Sequence, residues 1–114
     1  MAAPTADITN WMHMFRWIVK LIRDEYGIDE AKLTRTANIE QELSLSTEQV
    51  ERVLDYVQEA FAVKFPPGTL DELVKLEELC LLASWLAGFY KKPEFLGAAY
   101  AESAMAANPK AQAA

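Results

Sequence analysis

A chain of 114 residues has the size of one domain and can bury roughly two thirds of the surface its unfolded form exposes. Its apolar fraction of 52% and charged fraction of 25% are those of a globular protein and exclude a disordered chain. The net charge of -6 disfavours nucleic acid as a partner, and no apolar run approaches the roughly 20 residues of a membrane span.

The first residues, Met1 to Asp7, carry no positive side chain, so the sequence predicts no secretory signal and a cytoplasmic protein. The first helix is predicted from about Ile8 to Tyr26, with Ile8, Met12, Phe15, Val19, Ile22 and Tyr26 along one face. Thr9 or Asn10 could cap a start within it, and Gly27 would end it as a C-terminal glycine cap. Residues 28 to 42 lack a sustained period and predict a long structured loop anchored by Ile28, Leu33, Ile39 and Leu43.

Ser46 and Gln49 have the spacing of a capping box directly before a new apolar stripe, so the second helix is predicted to start there. Its inward face would be Val50, Val53, Leu54, Val57 and Phe61. Glu48, Glu51, Asp55 and Glu59 would form an acidic stripe alongside. This stripe lies where the charge is concentrated: residues 40 to 78 hold ten acids against three bases, and the rest of the chain is nearly balanced. Such a face favours a protein partner with a basic surface.

Pro66-Pro67-Gly68 breaks the chain, and Thr69 with Glu72 has the form of a second capping box. From Leu70 to about Tyr90 the chain is helix-prone, as a short helix followed by a longer one from near Leu73. Its part from Leu79 to Phe89 is apolar on nearly every side, and therefore needs cover on more than one face. Gly88 and Pro93 mark its end. Residues 94 to 107 predict a further helix supplying that cover, and residues 108 to 114 a disordered tail.

The order of helix, long loop, acidic helix, break and final helix resembles the acyl carrier protein family. The family pattern runs Leu-Gly-Val, a Val-Thr pair, a Phe followed by Asp-Leu-Gly-x-Asp-Ser-Leu, then an acidic helix ending in Phe-Gly-Ile with a proline after it. The chain has Tyr26-Gly27-Ile28, Leu33-Thr34, Ile39, Glu42-Leu43-Ser44-Leu45-Ser46-Thr47-Glu48, Phe61-Ala62-Val63 and Pro66, in the same spacing without a gap. The likeness extends loosely over residues 12 to 87. It implies an all-α, acyl-carrier-like four-helix bundle over residues 1 to 93, with an extended last helix, the 94 to 107 segment added, and a place in fatty acid biosynthesis or related acyl metabolism.

The departures fall where the family does its chemistry. The serine that receives 4'-phosphopantetheine in a carrier is replaced by Thr47, a secondary alcohol restricted at χ1. Ser46 stands one residue earlier, where the family has Asp, and its natural role is the helix N-cap. Glu48, Glu51 and Asp55 occupy positions where the family presents apolar side chains. The expectation is a carrier-like module without a cofactor, acting through Glu48, Glu51, Asp55 and Glu59 on a basic partner. Two alternatives stand beside it: a specialised carrier modified at Ser46 or Thr47, and an unrelated helical regulatory or adaptor protein.

No catalytic motif accompanies these features, so the chain is read as a non-enzyme. Glycine-rich phosphate loops and Gly-x-Ser-x-Gly are absent, and neighbouring acids such as Asp24 and Glu25 diverge around a helix by about 100°. His13 has no second ligand at metal spacing, and Cys80, between leucines, reads as a buried small hydrophobe. Trp11, Met12, Met14, Trp17, Trp85, Phe89, Tyr90 and Phe95 exceed what a small bundle buries. They predict an added subdomain, with an exposed patch for a homodimer or a cavity for a free acyl chain as alternatives.

Overall fold

The computed structural model describes residues 11–111, and these form four α-helices: α1 (Trp11–Tyr26), α2 (Thr47–Phe61), α3 (Leu76–Leu86) and α4 (Ala98–Ala107). Two single 3-10 turns, Glu30–Lys32 and Thr69–Glu72, punctuate the connections. The described residues contain no β-strand, so the fold is the all-α bundle that the helical periodicities require. No helix among them is long and apolar enough to cross a membrane.

α1 ends as its sequence dictates: Gly27 adopts φ +65° and donates its N–H to the Arg23 carbonyl at 2.9 Å. Residues 8 to 10, including the candidate caps Thr9 and Asn10, lie outside the described residues. The buried face is rotated from the expected one. Met14, Ile18, Val19 and Ile22 point inward, Phe15 is half-buried, and Met12 is 41% exposed. Arg16, Lys20 and Asp24, with Met12 in line, form the solvent edge of α1, and the buried face opposite them lies about one position round from the stripe drawn through Met12 and Phe15.

The long loop is held by its own apolar anchors and by the entry to α3. Leu33, Ala37, Ile39, Leu43 and Leu45 are buried. The Ile39 N–H donates to the Val74 carbonyl, while the N–H groups of Leu76 and Glu77 donate back to the carbonyls of Ala37 and Arg35, each at 2.9 Å. The Asn38 side-chain oxygen accepts from the N–H groups of Glu40 and Gln41, closing a local turn. These bonds satisfy backbone that a buried loop would otherwise leave unpaired.

The same stitch explains where α3 begins. The expected start near Leu73 is displaced to Leu76 because Val74 and Lys75 run extended beside the loop, with Asn38 and Lys75 forming an isolated bridge. The Glu78 carboxylate then accepts the N–H groups of Val74 and Lys75 at 2.7 and 2.9 Å. α3 has Leu76, Leu79, Cys80, Leu82, Ala83, Ser84, Trp85 and Leu86 buried, and packs most extensively on α1. It stops at Leu86, short of the expected Tyr90, because Gly88 turns the chain at φ +85°. Cys80 is wholly buried, which pushes its thiol pKa well above the usual value.

The second expected capping box does not form. Gly68 occupies the cap position of the Thr69–Glu72 turn without a side-chain bond, and both residues of the motif serve α4 instead. The buried Thr69 hydroxyl donates to the Pro66 carbonyl and shares a 2.6 Å hydrogen bond with the Tyr100 hydroxyl. Glu72 accepts the N–H of Gly97, the residue that opens α4, at 2.8 Å. Burial, countered in part by the bond to Thr69, raises the Tyr100 pKa above its ordinary value.

α4 buries Tyr100, Ala101 and Ala104 in the common core. Residues 108 to 111 do not form the expected loose tail. Asn108 is 3% exposed, accepts the Lys64 N–H at 2.7 Å, and donates to the carbonyls of Lys64 and Ala104 at 2.8 Å each. A lone polar residue after an alanine-rich helix gave no sequence signal for this role, which depends on Lys64 lying opposite. Residues 112 to 114 are outside the described residues.

Part of the aromatic excess goes into intramolecular contacts. Trp17, Phe61 and Phe89 form an edge-to-face series with centroids 4.9 and 6.3 Å apart, linking α1, α2 and the turn after α3. Trp11 meets Phe15 edge-on and carries the Arg35 guanidinium 4.5 Å above its ring. Met12 and Val74 are the exposed large hydrophobics among the described residues, and Trp11, Phe15, Trp17, Phe89, Tyr90 and Phe95 are half-buried.

Two substitutions test this account of the fold. Asn108→Ala removes three buried bonds at once and should lower the unfolding free energy by about 1–3 kcal/mol in chemical denaturation. Ala62, a non-glycine residue at φ +56° where α2 ends, makes the opposite prediction. Ala62→Gly should raise the denaturation midpoint, by about 1 kcal/mol of stability, because the left-handed conformation costs alanine more than glycine.

Candidate functional site

The capping box at the start of α2 forms as its spacing predicts. Ser46 adopts extended backbone, its Oγ accepts the Gln49 N–H at 3.2 Å, and the Gln49 side chain accepts the Ser46 N–H at 2.9 Å. The Tyr26 hydroxyl donates to the Gln49 carbonyl at 3.2 Å, pinning this first turn to the end of α1. Ser46 is thus engaged on both its hydroxyl and its backbone. Thr47, the next residue, opens the helix, is exposed, and makes no hydrogen bond through its hydroxyl among the described residues.

Downstream, the amphipathic division of α2 follows the sequence closely. Val50, Val53, Leu54, Val57 and Phe61 are buried, and Glu48, Glu51, Asp55 and Glu59 are exposed. Asp55 accepts a bond from Gln58 at 3.3 Å, and none of the four acids forms an ion pair among the described residues. The ion pairs there lie elsewhere, between Arg23 and both Asp24 and Glu30, and between Arg35 and Glu77. Arg52 and Tyr56 border the stripe, and the Tyr56 hydroxyl donates to Glu25 at 3.3 Å. The stripe therefore keeps its negative field for solvent or a partner.

The two halves of the sequence-predicted site are contiguous: Ser46 and Thr47 form the head of the helix whose exposed side bears Glu48, Glu51, Asp55 and Glu59. What sequence reasoning missed is the ground beside them. An open groove of about 520 Å³ runs from Thr47 past Leu45 and Val50 to Leu73 and Val74. Beneath it, Ile39, Leu45 and Val50 also border an apolar seam with Ile22, Val53, Leu76 and Leu79 that has no room for a water molecule. The one local signal for the groove is an apolar pair, Leu73-Val74, placed just outside a helix, where Val74 is 53% exposed.

His13 is half-buried on α1, and among the described residues no three His, Cys, Asp or Glu side chains converge to hold a metal ion. No protein family, no characterised protein and no solved structure matches this chain.

The capping role of Ser46 makes a direct prediction. Ser46→Ala should destabilise the protein by about 1 kcal/mol, measured by thermal or denaturant unfolding, and Ser46→Asp should retain most of the lost stability because a carboxylate also accepts the Gln49 N–H.

Proposed function

We propose that this protein is an acyl-carrier-like helical module that carries no phosphopantetheine and acts as an acidic interaction surface toward a basic protein partner, in or derived from acyl metabolism. The observation that carries this reading is the division of labour at the head of α2. Ser46 is committed to the cap in both directions, while Glu48, Glu51 and Glu59 stand exposed with no side-chain partner among the described residues. A hydroxyl that holds a helix start is a hindered attachment point, because its oxygen is turned toward the first-turn N–H it caps, and a bulky phosphodiester there would crowd that turn. An unpaired acidic row on one face steers a cationic surface toward it and fixes its register.

One observation favours a second reading. The Thr47 hydroxyl is exposed and unbonded, so a transferase tolerant of a secondary alcohol could reach it, which would make the protein a specialised carrier.

Intact-mass measurement decides between them. After incubation with coenzyme A and a broad-specificity phosphopantetheinyl transferase, the purified chain should keep its mass. A gain of one phosphopantetheinyl group, mapped to Thr47 or Ser46, overturns the cofactor-free reading. The acidic-face mechanism has its own readout: complexes with basic proteins should weaken steadily from about 0.05 to 0.5 M salt, and insensitivity to salt would exclude it.

A further inference from the structure

The acids on α2 are not all equivalent: on one side the helix borders grooves whose far wall carries aliphatic side chains, and on the other the surface hollows are lined by charged and polar residues and tyrosines, Arg52 among them. Besides the groove at Thr47, a second open groove of about 420 Å³ lies between α2 and the segment 65 to 71. The two meet at Leu70 and Asp71, which line both. Thr47, Val50, Glu51, Leu54, Asp55 and Gln58 form one continuous wall. They share a single face at intervals of three and four residues and extend about 16 Å, or three helical turns. The opposite side presents Phe65, Leu70 and Leu73 half-buried and Val74 exposed.

Charge along this combined groove has one sign. Glu40, Glu51, Asp55 and Asp71 line it, all four are exposed, and no Lys or Arg lines either part. Glu48 and Glu59 belong to the outer side of the stripe, next to Arg52, and line neither part. An apolar strip edged by carboxylates matches a cationic amphipathic helix, which offers an apolar stripe to the floor and ammonium or guanidinium groups to the rims. The other common occupants fit worse. The described residues contain no strand and so offer no edge for an added one, and an anionic lipid surface would be repelled by the rim.

We propose that the groove between α2 and residues 65 to 74 seats a lysine- or arginine-bearing amphipathic helix of a partner protein, with its apolar stripe on Leu70, Leu73 and Val74 and its cations against Glu51, Asp55 and Asp71. This rests on the reading of α2 as the partner face, and narrows it to one side of that helix. Desolvated apolar contact supplies the affinity, and the carboxylates supply register and rate of encounter.

The probe is a fluorescein-labelled peptide of leucine and lysine alone, about 14 residues long and patterned as an amphipathic helix. A peptide of the same composition, shuffled to abolish the stripe, is its control. Binding is read by anisotropy, and location by amide shifts of the isotope-labelled full chain. The patterned peptide should bind the wild type at least about tenfold tighter than the shuffled one, shifting residues 65 to 74. Val74→Gln and the double variant Glu51→Lys/Asp55→Lys should each weaken it, the double by at least about tenfold. Glu48→Lys/Glu59→Lys changes the net charge equally and should weaken it distinctly less.

If both doubles weaken binding alike while Val74→Gln and shuffling have no effect, charge alone is at work, so the groove is wrong and the acidic face survives. Binding unmoved by salt and by either double removes the acidic face as well. Absence of binding, or shifts confined to residues away from the groove, overturns the groove proposal. Circular dichroism of each variant checks that these exposed substitutions leave the helices intact.

Discussion

The arrangement follows from one constraint, the need to cover α3 on nearly every side. A helix with Leu76, Leu79, Cys80, Leu82, Ala83, Trp85 and Leu86 buried has only the half-buried edge of Glu77, Glu78 and Leu81 to offer solvent, and each large side chain left exposed would forfeit about 1.5–3 kcal/mol of burial. No single neighbour can cover it. α1 takes one flank, while the long loop, α2 and α4 contribute to the same continuous core. The loop is accordingly not slack chain: it is hydrogen-bonded to the entry of α3 and buries five apolar side chains of its own. α4 needs little amphipathic character because its place is set by polar ties at both ends, Glu72 to Gly97 and Asn108 to Lys64.

α2 is the opposite case, a helix with a sharp division between core and solvent, and this made it legible. Its five inward residues, its capping box and its acidic row all stand where the spacing puts them, because a single apolar stripe leaves one orientation. α3 carries so much apolar surface that periodicity fixes its existence and not its bounds, hence the late start at Leu76. α1 is divided as clearly as α2, and the inward turn of Met14 and Ile18 follows from its solvent edge of Arg16, Lys20 and Asp24, which the stripe through Met12 and Phe15 does not respect. Thr69 and Glu72 illustrate a further limit. Their spacing is that of a local cap, but a partner distant in sequence, Tyr100 or Gly97, takes each side chain. Asn108 and the groove beside Val74 exist only through tertiary proximity, which no local window contains.

The electrostatics of α2 give an independent reason to regard its exposed face as a binding surface. Glu48 in the first turn is favoured by the helix dipole, whereas Glu59 lies near the negative end, and the last turn carries no base to offset it. Along the row, Glu48 and Glu51, Glu51 and Asp55, and Asp55 and Glu59 are spaced by three or four residues, so each pair repels by about 0.2–0.5 kcal/mol. A solvated face selected for helix stability would interleave bases at those intervals, and Arg52, four residues after Glu48 and three before Asp55, is the single base among the described residues of α2. The row thus costs the isolated protein stability that a cationic partner would return on binding. For the proposed helix in the groove the return would be larger, because the same carboxylates edge exposed and half-exposed apolar side chains whose desolvation would strengthen each charge contact.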